Sequence, residues 1–94
     1  SDDDFEEQFL EQYKDETVIK VIFKGDAAKE PVIQTLANKY KVTTNILAGR
    51  IEYIQNKQLG SLTFSVTGNE QNCSAFVNHL ISDVSDVEVK VYGE

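Results

Sequence analysis

Methionine and tryptophan are absent from this 94-residue chain, and cysteine, histidine and proline occur once each. A lone cysteine, Cys73, leaves no internal disulfide and fits a reducing compartment. One histidine and one cysteine cannot supply a metal cluster, so no metal site is expected. A Cys–His nucleophile is equally unpromising. Cys73 and His79 lie six residues apart on one predicted helix, with Cys73 on the core-facing side as a small hydrophobe. The five glycines stand singly at strand ends or breaks, so no phosphate-cradling loop is present and no cofactor is expected. No apolar run approaches the ~18 residues of a membrane span, and no signal-peptide pattern appears, so direct membrane insertion is not expected. The missing initiator methionine, with serine at position 1, leads to the expectation of a piece of a larger protein.

Charge is present but lopsided. The net charge is −7. Residues 1–16 carry eight acids and one base, Lys14, whereas the remainder is balanced. Neither part offers the basic footprint of a nucleic-acid binder. Within the acidic segment Phe5, Phe9 and Tyr13 recur every fourth residue beside Leu10, which predicts a short helix with one aromatic stripe. Asp2, Asp3 and Asp4 suit its positive N-terminal end. Two roles fit: a solvated linker helix, or a strip packing on another part of a parent protein.

Residues 17–94 read as one domain. Residues 18–24 form a strand with Ile19, Val21 and Phe23 on one face; its other face, Val18, Lys20 and Ile22, is half apolar and not expected to be fully wet. After a loop over residues 25–30, Pro31 suits the first turn of a helix with the stripe Val32, Ile33, Leu36, Ala37, Tyr40. Residues 42–55 predict a long strand with a bulge at Gly49, where the alternation changes phase. Asn56, Lys57 and Gly60 mark a break. Residues 60–66 predict a strand with Leu62, Phe64 and Val66 inward and Ser61, Thr63 and Ser65 outward. Asn69 and Asn72 suit the start of a helix carrying Cys73, Phe76, Val77 and Leu80 at helical spacing. Residues 87–92 predict a last strand.

This β-α-β-β-α-β order is the split βαβ motif: an α+β, ferredoxin-like four-stranded antiparallel sheet with both helices on one face. The other face, and the edge strand over residues 42–55, are expected to be bare. An uncovered edge of that length invites a partner, so a homodimer through the edge strand or the open face is expected. Catalysis finds little support. An acyl-phosphate hydrolase of this fold would want an arginine and clustered amides in the loop GDAAKE, which carries Asp26, Lys29 and Glu30. An RNA-binding sheet would want aromatics where Ser61, Thr63 and Ser65 stand. No enzymatic activity is expected of this chain. One residue is out of character: Asn45, a turn-favouring amide in mid-strand.

Residues 17–94 resemble the NIL domain, named for the Asn-Ile-Leu triplet present here as Asn45, Ile46 and Leu47. The stretches VIFKGDAAKEPVIQTLANKYKVTTNILAGRIEYI, LGSLTFSVTG and VEVKVYG match its frame in order. The resemblance implies the C-terminal regulatory domain of the ATP-binding subunit of a bacterial methionine-import ABC transporter, cytoplasmic and peripheral to the membrane. Its partners would be the parent ATPase domain, the permease and cytosolic L-methionine, with acceptance of D-methionine left open. Methionine bound to paired domains would hold the ATPase domains apart and inhibit import. Some NIL domains accompany iron–sulfur modules, but this chain lacks cysteines for a cluster. The expected ligand positions are Asn45, Ile46, Leu47, Ala48 and Gly49. An Asn offers a donor and an acceptor to an amino-acid zwitterion, an apolar neighbour such as Leu47 a slot for the thioether, and a bulge free backbone groups. The competing expectation is a purely structural dimerisation domain, with Asn45 capping a bulge or bonding across strands.

Overall fold

A computed structural model describes residues 2–29 and 31–93. Helix α1 (Asp2–Gln12) leads into β1 (Thr17–Lys24), a 3-10 turn (Gly25–Lys29), α2 (Val32–Tyr40), β2 (Thr43–Ile54), β3 (Lys57–Thr67), α3 (Glu70–Ser82) and β4 (Val87–Val91). The four strands form one sheet in the order β2-β3-β1-β4, with β1 antiparallel to both β3 and β4 and β2 antiparallel to β3. The α+β ferredoxin-like order expected from the sequence is therefore present.

The core lies between the sheet and the pair α2–α3. Ile19, Val21 and Phe23 of β1 and Phe64 and Val66 of β3 face Leu36 and Ala37 of α2 and Phe76 and Leu80 of α3, all buried. Phe64 and Phe76 meet edge to face with centroids 6.2 Å apart, a favoured aromatic geometry. Local chemistry sets the helix ends. Pro31 precedes α2 as its cap rather than as its first residue, and its carbonyl accepts from Thr35 N–H. Lys41 closes α2 in the left-handed region. Asn69 caps α3, its side-chain oxygen accepting from Asn72 N–H at 3.1 Å. Tyr40 Oη and His79 Nδ1, 2.7 Å apart, tie α2 to α3 in a half-buried contact that the sequence did not suggest.

Four expectations need correcting. The segment over residues 25–29 is not an open loop but a 3-10 turn; Glu30 lies outside the described residues. The β2–β3 connection is two residues, Gln55 and Asn56, both at positive φ, so Lys57 and Gly60 belong to β3. A two-residue hairpin with positive φ at both positions matches the twist of the strands it joins. The bulge in β2 lies at Leu47, not at Gly49: Ile46 pairs with Phe64, Ala48 with Thr63, and Gly49 regularly with Leu62. The phase change was read from the glycine, yet a Cβ at Gly49 would meet only Leu62 Cδ1 at 3.5 Å, an ordinary contact.

The fourth concerns the open sheet face, which is not bare. Val18 and Ser65 pair across β1 and β3 on that face and are 3% and 1% exposed. Neither belongs to the core under α2 and α3. Helix α1 is tied to this same face: Glu6 lies 3.6 Å from Lys90 Nζ of β4 and hydrogen-bonds Tyr92, while the helix's other end leads into β1. The stripe of α1 is real, with Phe9 and Tyr13 rings 5.2 Å apart; the side chain of Phe5, and those of Asp2 to Asp4, lie outside the described residues.

Candidate functional site

The site begins with β2. Its residues Thr43, Thr44, Ile46, Ile51, Tyr53 and Ile54 favour extended backbone, and β3 pairs along only one side of it. Among the described residues no strand pairs with its other edge. Ile46, Ile51, Tyr53 and Ile54 stand 65%, 63%, 72% and 53% exposed, so the longest strand also shows most of the large apolar surface. Such an edge is a template for another strand.

Within β2 the five candidate ligand residues are not brought to one place. Asn45 pairs with Ser65, which pairs with Val18, so Asn45 belongs to the open face, beside that buried pair, and is exposed. Ile46 pairs with Phe64 and so belongs to the helix face, where it lines a shallow hollow of about 540 Å³ with Val32, Ile33, Thr44 and Leu62. Leu47 is the unpaired bulge residue and is half-buried, so strict alternation does not place it on the face of Asn45 as expected. Ala48 instead holds the next open-face position, paired with Thr63, and Gly49 returns to the helix face. The open-face cluster is thus Asn45, Ala48, Ser65 and Thr63, a polar row at a sheet margin. A bulge leaves backbone groups outside the ladder, here at the residue after Ile46.

Ser65 was expected to be a wet outward residue and is instead the buried neighbour of Asn45. The half-apolar second face of β1, through Val18, was the sequence signal that something covers this row. Tyr92 borders the same patch, its N–H donating to Val18 O at 2.9 Å. Its phenol is pushed above the usual 10.0 by burial first, then by the charge of Glu6 and the hydrogen bond to it. Lys90 adds a cation over the Tyr92 ring, 4.5 Å from its centroid. Farther out on β2, Arg50 pairs with Glu52 on the open face.

Among the described residues no catalytic grouping converges elsewhere. His79 is engaged by Tyr40 through Nδ1. Burial raises the Cys73 thiol above the ordinary 9.0, which disfavours the reactive thiolate. Among the described residues no group of three or more His, Cys, Asp or Glu side chains could hold a metal ion. Among those residues, too, no helix is long and apolar enough to cross a membrane.

The profile of the NIL domain family matches residues 17–90. A methionine import ATP-binding protein MetN 1 from Oceanobacillus iheyensis is 37% identical over 73 residues, covering 78% of this chain and 22% of that protein. A methionine import ATP-binding protein MetN from Salmonella enteritidis is 39% identical over 74 residues, covering 77% of this chain and 24% of that protein. The chain therefore spans about a quarter of the length of these relatives. Among solved structures, the C-terminal domain of an ABC transporter / ATP-binding protein from Enterococcus faecalis superposes with a TM-score of 0.74 at 33% identity, covering 94% of this chain and 96% of that one.

Proposed function

This chain belongs to the NIL domain family, and we propose that it is the methionine-responsive regulatory domain of the ATP-binding subunit of a methionine-import ABC transporter. The observation that carries the reading is Asn45: an exposed amide on the edge strand of the sheet, paired with the buried Ser65 and two residues from a bulge, in the triplet for which the family is named. A zwitterionic amino acid needs N–H donors for its carboxylate, an oxygen acceptor for its ammonium, and an apolar surface for its side chain. Asn45 supplies a donor and an acceptor. The bulge at Leu47 supplies backbone groups outside the ladder, and Ile46, Leu47 and Ala48 supply apolar surface, with Gly49 allowing close approach. L-methionine is the ligand proposed from the names of the relatives, and D-methionine is the natural comparison.

Asn45 and Ile46 take opposite faces, so one protomer does not wrap a ligand by itself. Pairing of two β2 edges in a homodimer would enclose it. Ligand would then favour one arrangement of the paired domains, and through the parent chain one spacing of the ATPase domains, which is how product inhibits import. The chain would work on the cytoplasmic side, peripheral to the membrane through the permease of the transporter, with no catalysis of its own. A second reading, a structural dimerisation domain without ligand, is favoured by the apolar exposure of β2 alone.

The test is thermal melting with and without L-methionine. A ligand at a hundred times its Kd adds about 2.7 kcal/mol to the folded state, which in a domain of this size raises Tm by roughly 10–20 °C. Asn45→Ala should abolish the rise and leave the unliganded melt within a degree or two. A melt indifferent to millimolar methionine in a chain that still dimerises would select the structural reading.

A further inference from the structure

The cover on the open sheet face has a use. Helix α1 has two anchors. At its C-terminal end, Tyr13 N–H donates to Leu10 O and Glu16 N–H to Tyr13 O, and the chain enters β1 at Thr17. Nearer its start, Glu6 reaches Lys90 and Tyr92 on β4. Val18 and Ser65 lie almost completely buried on the sheet face to which these anchors tie the helix. The hold is nevertheless light. The Lys90 and Glu6 side chains are 63% and 41% exposed, and solvent-exposed ion pairs of this kind hold only weakly. Phe9, Leu10 and Tyr13 are only half-buried. A helix of 11 residues is marginal without packing, so α1 depends on these few contacts to stay docked.

Asn45 adjoins this patch directly, because its cross-strand partner is the covered Ser65. We propose that α1 is a reversible strap whose docked position forms one side of the Asn45 site, so that ligand binding and strap docking favour each other. The inference rests on the methionine reading above and adds the route by which occupancy is felt: any chain preceding residue 1 is joined to the domain through α1. Reciprocity is required by linkage. If docking improves the ligand's affinity by some factor, ligand improves docking by the same factor.

The experiment is amide hydrogen exchange of the intact chain with and without saturating L-methionine, alongside calorimetric binding to the wild type, Glu6→Lys, Lys90→Glu and the charge-swapped double variant. Exchange in α1 should slow by about fivefold or more, beyond any slowing in α3. Glu6→Lys, which sets like charges against Lys90, should weaken methionine by about fivefold, and the swapped pair should recover at least half of that loss. Both exposed positions tolerate the change, which circular dichroism verifies. Wild-type binding with α1 exchange unaltered, or Glu6→Lys binding as tightly as wild type, overturns the coupling while leaving the methionine site intact. Absence of methionine binding by the wild type overturns the underlying reading and the coupling with it.

Discussion

Replacing Ile51 with Lys tests whether β2 is a dimer edge. Ile51 pairs with Gly60 on the helix face of the sheet and is 63% exposed, so the change spares the core of the single chain. Full burial of a side chain of this size is worth about 1.5–3 kcal/mol. With nearly two-thirds of it still to be buried, Ile51 would contribute about 1–2 kcal/mol on pairing. Ile46, Tyr53 and Ile54 offer similar fractions. Four such residues on each of two protomers give a gross gain of about 8–16 kcal/mol, set against an association cost of roughly 4–15 kcal/mol. A weak dimer with a concentration-dependent mass is the expected result. Because symmetry places the change twice in each dimer, Ile51→Lys should cost about 2–4 kcal/mol, weakening association by roughly 30- to 1,000-fold. Sedimentation equilibrium across a concentration series reads this directly. Thr63→Lys, on the open face of β3, is the comparison that separates the edge from that face. An Ile51→Lys protein with wild-type association and unaltered melting would refute the edge argument. Loss of association in Thr63→Lys alone would assign pairing to the open face.

Two further outcomes follow from local chemistry. Asn69→Ala removes the acceptor for Asn72 N–H at the start of α3 and should cost about 1 kcal/mol, seen as a Tm lower by about 4–8 °C; Asn69→Asp should retain most of it, and equal losses in both would remove the capping argument. Tyr92 has a folded-state pKa raised above 10.0, so its stabilising effect is present below that pH and is lost as pH climbs through the folded value. Urea midpoints at pH 9 and pH 11 should therefore differ less for Tyr92→Phe than for the wild type, and equal differences would count against the burial of this phenol.

Much was legible in the sequence because it depends on short-range periodicity. Ile19, Val21 and Phe23 at alternate positions, and Phe76 and Leu80 a helical turn apart, can be buried on one side only by particular elements, and those elements formed. The order of the elements, with right-handed crossovers, then leaves few sheets to choose from. Asn45 could be singled out for the same reason: an amide conflicts with its local pattern, and such conflicts gather where a protein does something other than fold. Its face was not legible, because a one-residue slip in register reverses a strand; the pairing with Ser65 decides it.

Tertiary structure alone decided three things. The bulge fell at Leu47 because register against Phe64 and Thr63 depends on how two strands meet, and a glycine two residues away is an unreliable marker of where one of them gains a residue. Ser65 became the buried neighbour of the amide on a face that has the composition of a wet one, and a serine in a strand reads the same whether water or protein lies above it. The contacts of Glu6 with Lys90 and Tyr92 span more than eighty residues of chain, and no period in a sequence encodes which exposed charges will meet at that distance. Local pattern determined what each segment became; the packing of segments distant in sequence determined what surrounds Asn45.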